Sequence, residues 1–180
     1  DSSGNTQVCA FTVRVVDTER PVISCPGKML FNTPPGQCST IVNFNVSVSD
    51  NCPGASVSCS PPSGSSFSKG VAMVICTARD TSGNTAACNF QVEVRDLESP
   101  VITCPADINA GSYPGSCGAP VMYSVGVSDN CPGATFSCTP PTGSMIPVGT
   151  NIVICNATDT SSNTATCSFR VTIRDVESPT

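Results

Sequence analysis

The cysteines recur with a fixed period of 79 residues, and a chain copied in this way folds into repeated bodies rather than one merged globule. Cys25, Cys38, Cys52, Cys59, Cys76 and Cys88 are each followed 79 positions later by Cys104, Cys117, Cys131, Cys138, Cys155 and Cys167. Cys9 stands 79 before Cys88 and extends the series. No insertion or deletion separates the copies. Two complete repeats are therefore expected at 20–98 and 99–177. Residues 1–19 match 80–98 and read as the last strand of a preceding repeat, and 178–180 read as the start of a following one. The stretch is thus expected to be a window on a longer array. Donation of residues 1–19 as a strand to a neighbouring chain would need an acceptor lacking its own last strand. Both complete copies carry theirs, so that alternative loses.

Thirteen cysteines with no tryptophan, no histidine and two tyrosines describe thin apolar cores held by covalent staples. That density belongs outside the cell or in the secretory pathway, where thiols are oxidised. A zinc site would want C-x-x-C pairs or histidines, and neither occurs. A net charge of −5 argues against nucleic acid, which needs a basic face. No apolar run approaches the roughly 18 residues of a membrane span.

Catalysis lacks its parts. There is no histidine base, no recurring acid pair beside a nucleophile and no glycine-rich phosphate loop. Lys28 and Lys69 are the only lysines, both in the first copy, which excludes a repeated isopeptide crosslink.

Alternation with period two dominates, and helical periodicity is nowhere sustained. Val42, Phe44, Val46 and Val48 form one row, matched by Val121, Tyr123, Val125 and Val127. Val74, Cys76 and Ala78 form another, matched by Val153, Cys155 and Ala157. The last strand carries Cys88, Phe90, Val92 and Val94, then Cys167, Phe169, Val171 and Ile173. Turn signals separate the rows: Pro34-Pro35-Gly36, Asn51-Cys52-Pro53-Gly54, Pro61-Pro62-Ser63-Gly64 and Ser82-Gly83-Asn84. About seven short strands per repeat and no helix predict an all-β fold of tandem, disulfide-stapled β-sandwiches.

Each repeat runs Pro-Val-Ile-x-Cys-Pro, then Ser-Asp-Asn-Cys-Pro-Gly, then Ala-x-Asp-Thr-Ser-x-Asn-Thr-Ala-x-Cys-x-Phe-x-Val, then Arg-Asp-x-Glu. In this the chain resembles the hyalin repeat (HYR) family of immunoglobulin-like extracellular modules, over both copies and the tail. Ser162 replaces the usual glycine held by Gly83, and Ser68-Lys69-Gly70 is less typical than Pro147-Val148-Gly149. The resemblance implies adhesion or extracellular architecture without catalysis. It also implies that Cys25 pairs with Cys88, since these two remain in the family when the other cysteines are absent. Cys59–Cys76 then joins facing rows, and Cys38–Cys52 would tie the two ends of the second strand. The second copy repeats the scheme as Cys104–Cys167, Cys138–Cys155 and Cys117–Cys131, with Cys9 left over. A rival scheme welds neighbouring repeats through Cys9–Cys25 and Cys88–Cys104.

Eleven of the thirteen acids recur at matched positions in loops or in the joint between repeats. The expectation is that they cap turns and pair locally. Were calcium bound there, Asp80, Asp96, Glu98, Asp159, Asp175 and Glu177 would be the candidate ligands; no other cofactor is expected. Two sequons, at Asn45 and Asn156, fall on outward rows where N-linked sugar could sit.

The expected function is structural: a rod or fibre of stapled sandwiches in series, each adding some 35–45 Å. Its partners would be neighbouring repeats, laterally assembled copies and attached glycans. The alternative is an adhesion or ligand-binding stalk of a cell-surface protein or secreted enzyme.

Overall fold

The computed structural model describes residues 2–178. Asp1, the first member of one acidic series, lies outside the described residues, as do Pro179 and Thr180 of the expected following repeat.

Among the described residues there are sixteen strands and no helix. The first copy holds β1 (Val22–Ser24), β2 (Met29–Asn32), β3 (Ser39–Val42), β4 (Ser47–Ser49), β5 (Ser56–Ser60), β6 (Ser65–Ser68), β7 (Gly70–Arg79) and β8 (Thr85–Arg95). The second holds β9 (Val101–Thr103), β10 (Ile108–Gly111), β11 (Gly118–Pro120), β12 (Gly126–Ser128), β13 (Thr135–Thr139), β14 (Met145–Pro147), β15 (Gly149–Thr158) and β16 (Thr164–Arg174). The four-stranded sheets are ordered β2-β8-β7-β5 in one copy and β10-β16-β15-β13 in the other, and the two-stranded sheets are β1-β4, β3-β6, β9-β12 and β11-β14. β2 and β10 run parallel to their neighbours β8 and β16. The pairs β1-β4, β5-β7, β9-β12, β11-β14, β13-β15 and β15-β16 are antiparallel. The fold is all-β, a tandem of β-sandwiches.

The expected second strand is broken in two. β3 pairs with β6 and β4 with β1, so the intervening residues leave the ladder while the alternation of burial continues through them. A hydroxyl satisfies the backbone at the break. Ser63 Oγ accepts the Phe44 N–H at 2.8 Å and donates to the Phe44 carbonyl at 2.9 Å. Thr142 does the same for Tyr123, at 2.9 and 3.0 Å. One side-chain group replaces two lost ladder bonds, so neither is left unpaired in a half-buried place.

The chain divides into two compact units. Unit 1 comprises Asp1–Lys28, Asn43–Ser65 and Met73–Gln91. Its interior holds Phe44, Val74, Cys76, Ala78 and Phe90, with the Phe44 and Phe90 rings edge to face at 5.0 Å. Residues 5–21 form no strand, and Val8, Phe11, Val13 and Val15 are exposed.

Unit 2 comprises Met29–Val42, Ser66–Ala72 and Val92–Thr180. Its main cluster is Ala119, Val121 and Ile146 from one layer against Val153, Cys155, Phe169, Val171 and Ile173 from the other. Tyr123 and Phe169 repeat the edge-to-face pair at 5.0 Å. Half the side chains of each long strand face inward, so the apolar rows read from the sequence are the buried rows.

Candidate functional site: a covalent joint

Four disulfides lie inside single copies. Cys25–Cys88 and Cys104–Cys167 each span 63 residues, and Cys59–Cys76 and Cys138–Cys155 each span 17. In the latter two the cysteines are direct cross-strand partners, with Cα atoms 4.0 Å apart.

The fifth bridge corrects the sequence expectation. Cys38 does not bond Cys52, nor Cys117 Cys131; Cys38 bonds Cys131, 93 residues away, with Cα atoms 4.9 Å apart. The reason is geometric. Cys38 precedes β3 and Cys52 follows β4, and strands along that stretch would carry its ends apart rather than together. A disulfide needs Cα atoms within about 7 Å. The rival weld through Cys9–Cys25 and Cys88–Cys104 is also absent, because Cys25 and Cys104 are already bonded to Cys88 and Cys167. Cys9, Cys52 and Cys117 are free thiols.

The Cys38–Cys131 bond lies wholly in unit 2, where a turn of the first copy meets two loops of the second. Gln37 N–H closes the turn onto the Pro34 carbonyl at 3.0 Å. At its apex Gly36 sits at φ 71°, and its N–H donates to the Glu98 carboxylate at 2.8 Å. Backbone at Cys38 is fixed too, its carbonyl accepting the Lys69 N–H at 3.0 Å.

Asp96 is the centre of this joint. Its side chain is 0% exposed. Oδ1 accepts the Glu98 N–H and the Asn130 amide, each at 3.1 Å. Oδ2 accepts the Ser161 hydroxyl at 3.4 Å and faces the Lys69 ammonium at 4.0 Å. Lys69 also donates to Ser161 at 3.0 Å and to Thr160. Asn130 donates onward to the Gln37 carbonyl at 2.8 Å, and Asn163 to the Asp96 carbonyl at 3.2 Å. A buried carboxylate is costly unless hydrogen-bonded and paired, and here Asn130 adjoins Cys131 and Lys69 is hydrogen-bonded to Cys38, the two ends of the disulfide. In place of the local pairing expected for the acids, Asp96 faces Lys69, 27 residues away.

Asp80 and Asp159 cap the turns that follow them. Asp159 accepts the Asn163 N–H, the Asn163 amide and the Ser161 N–H at 2.7–2.8 Å, and Asp80 takes the Asn84 N–H and amide at 2.8 and 2.7 Å. Burial alone would raise both carboxyls, yet these hydrogen bonds outweigh it and hold both below the usual carboxylate value. Lys69 adds to the lowering at Asp159. Glu177 repeats the role of Glu98 by accepting the Gly115 N–H at 2.6 Å, and exposed Asp175 accepts the Glu177 N–H at 3.1 Å. The six candidate calcium ligands are thus engaged separately. Among the described residues, the acids that converge with a cysteine are Asp96 with Asp129 and Cys131, and Asp17 with Asp50 and Cys52. Asn45 and Asn156 are both exposed, and Asn156 Oδ1 accepts the Thr166 hydroxyl at 2.7 Å.

Sequence reasoning missed the Cys38–Cys131 bond, Lys69 and the Asn130 and Asn163 amides. The one available signal was the period itself, since a cysteine two loops away and one repeat on is chemically equivalent to the nearer candidate.

A family profile described as the HYR domain matches residues 16–94 and 95–173. The chain is 33% identical over 186 residues to the Sushi, von Willebrand factor type A, EGF and pentraxin domain-containing protein 1 of Rattus norvegicus, across 96% of this chain and 5% of that protein. It is 30% identical over 188 residues to Hyalin of Lytechinus variegatus, across 98% of this chain and 36% of that protein. The chain therefore spans a small part of the curated relatives it matches. Among solved structures, mouse cadherin-23 EC22-24 aligns with a TM-score of 0.44 and 17% identity, over 88% of this chain and 67% of that one.

Proposed function

Since the chain belongs to the HYR domain family, we propose that it is a non-catalytic structural module of an extracellular tandem array, its repeats locked in series as a rod or fibre. One observation carries this reading: the Cys38–Cys131 bond ties the first HYR copy to the second, around a buried carboxylate that both copies help to satisfy. A joint held by covalent and buried polar contacts resists bending, and a binding or catalytic role would not require it. Five disulfides in 180 residues belong to an oxidising, extracellular setting. Asn45 and Asn156, being exposed, would carry N-linked sugar on the outer face of the array.

Electron microscopy of the native protein tests the reading. Beads at a regular interval along a thread are expected, losing their alignment when reductant opens the joint. A single compact particle, unchanged by reductant, would overturn it. Adhesion remains the second reading, favoured by the outward apolar side chains Met73 and Ile75 and their counterparts Ile152 and Ile154, each about half exposed.

A further inference from the structure

We propose that Lys69 and Asp96 condense into an isopeptide bond, so that the folded chain crosslinks itself once and releases water. The two charged groups face each other inside unit 2, Nζ to Oδ2 at 4.0 Å, and the Asp96 side chain is 0% exposed. The inference goes beyond the array reading, since it needs only one folded chain.

An ordinary ion pair looks different. Exposed Arg95 meets Glu93 directly, Nε to Oε1 at 2.6 Å. Lys69 Nζ instead stands outside hydrogen-bond distance of the carboxylate and donates to the hydroxyls of Thr160 and, at 3.0 Å, Ser161. The two Asp96 oxygens are also treated unequally. Oδ1 accepts the Glu98 N–H and the Asn130 amide, each at 3.1 Å. Two donors fixed on one carboxyl oxygen are what stabilises the negative charge of a tetrahedral intermediate. Oδ2 accepts the Ser161 hydroxyl at 3.4 Å, and the same Ser161 oxygen takes a proton from Nζ. One hydroxyl therefore bridges the nucleophile and the oxygen that must leave.

The step balances without oxidant or cofactor. Nζ passes one ammonium proton through Ser161 Oγ to Asp96 Oδ2 and attacks Cγ as the free amine. The Nζ–Cγ bond forms, the Cγ–Oδ2 bond breaks, and Oδ2 leaves as water with a second of the three protons. The third stays on the amide nitrogen. Two opposite charges disappear from a site where desolvation makes them costly to keep, which favours the product. Oδ1 retains both donors as the amide carbonyl oxygen. A cleft of about 380 Å³ opens beside the pair, lined by Lys69, Val71, Asp96, Leu97 and Ser161 among others, and gives the water its exit. The second copy carries Val148 at the position of Lys69, so this stretch forms the bond once.

The test weighs the folded 180-residue chain after it has been unfolded, reduced and alkylated, then maps its peptides. Expected is a mass one water below that of the sequence, with a branched peptide joining Lys69 to Asp96. Lys28, the other lysine, should take an acylating amine reagent in the unfolded chain while Lys69 does not. Lys69→Arg, which keeps the charge, and Asp96→Ala should each restore the full mass. Ser161→Ala, which removes the bridging hydroxyl, should lower the crosslinked fraction of freshly folded protein. Full mass with Lys69 acylated as readily as Lys28 would overturn the inference, as would a water loss mapped to other residues. In either case a Cys38–Cys131 peptide from the unreduced chain leaves the structural reading standing.

Discussion

Asp96 and Asp175 are the same residue one repeat apart, and their surroundings make them unequal. Asp96 is buried beneath donors from three segments, whereas Asp175 is exposed and caps its own turn. Asp96→Ala strands the Asn130 amide and the Glu98 N–H, a cost of about 1–3 kcal/mol. Asp175→Ala should cost a few tenths at most, and urea unfolding of the two variants side by side measures the contrast. Asp80 and Asp159 set the acid limit. Their folded values lie below the ordinary 3.8, so the stability they contribute is fully present above that value and is lost as pH falls through the folded value. Melting temperature should therefore be level above about pH 5 and drop below about pH 4. Asn84→Ala and Asn163→Ala should flatten part of that drop, having removed the side-chain amide bond to each carboxyl while its backbone bonds remain.

Two element-scale devices separate the copies. Ser162 adopts φ 71° in the loop between β15 and β16, where Gly83 serves between β7 and β8 at φ 96°. A side chain in that region is strained. Ser162→Gly should therefore raise stability by roughly 0.5–1 kcal/mol, read as a higher urea midpoint. Gly118, at the start of β11, has its own constraint: a Cβ there would stand 2.5 Å from the Ile146 carbonyl oxygen on β14. The neighbour is backbone, so nothing flexible can yield. Gly118→Ala should push β11 off β14 and cost about 1–3 kcal/mol, with amide exchange rising across Gly118–Pro120 and Met145–Pro147 first. The first copy carries Ser39 at the matched position, so this packing belongs to the second copy alone.

For the whole molecule, the decisive bond is the one that closes the longest loop. Cys38–Cys131 encloses 93 residues, which in the chain-entropy account corresponds to roughly 4–5 kcal/mol as an upper figure. Removing both sulfurs with Cys38→Ser and Cys131→Ser should lower stability by a good part of that. Hydrogen exchange should then rise in residues 34–38 and 129–133, while β15 and β16 stay protected. Uniform exchange throughout would mean the bond holds no joint.

The sequence by itself determined what is local. Period-two alternation marked the long strands β7, β8, β15 and β16, and proline, glycine and asparagine marked the turns, because strand geometry and turn dihedrals depend on neighbouring residues. The unbroken copying of cysteines likewise marked two repeats, as the two HYR matches at 16–94 and 95–173 do. Only the tertiary structure decided which Cys38 partner lies within reach. Cys52 and Cys131 are identical in type and in flanking sequence, so no local rule separates them. Packing within unit 2 brings Cys131 to 4.9 Å from Cys38, Cα to Cα. The same packing, and no motif, put Lys69 against Asp96.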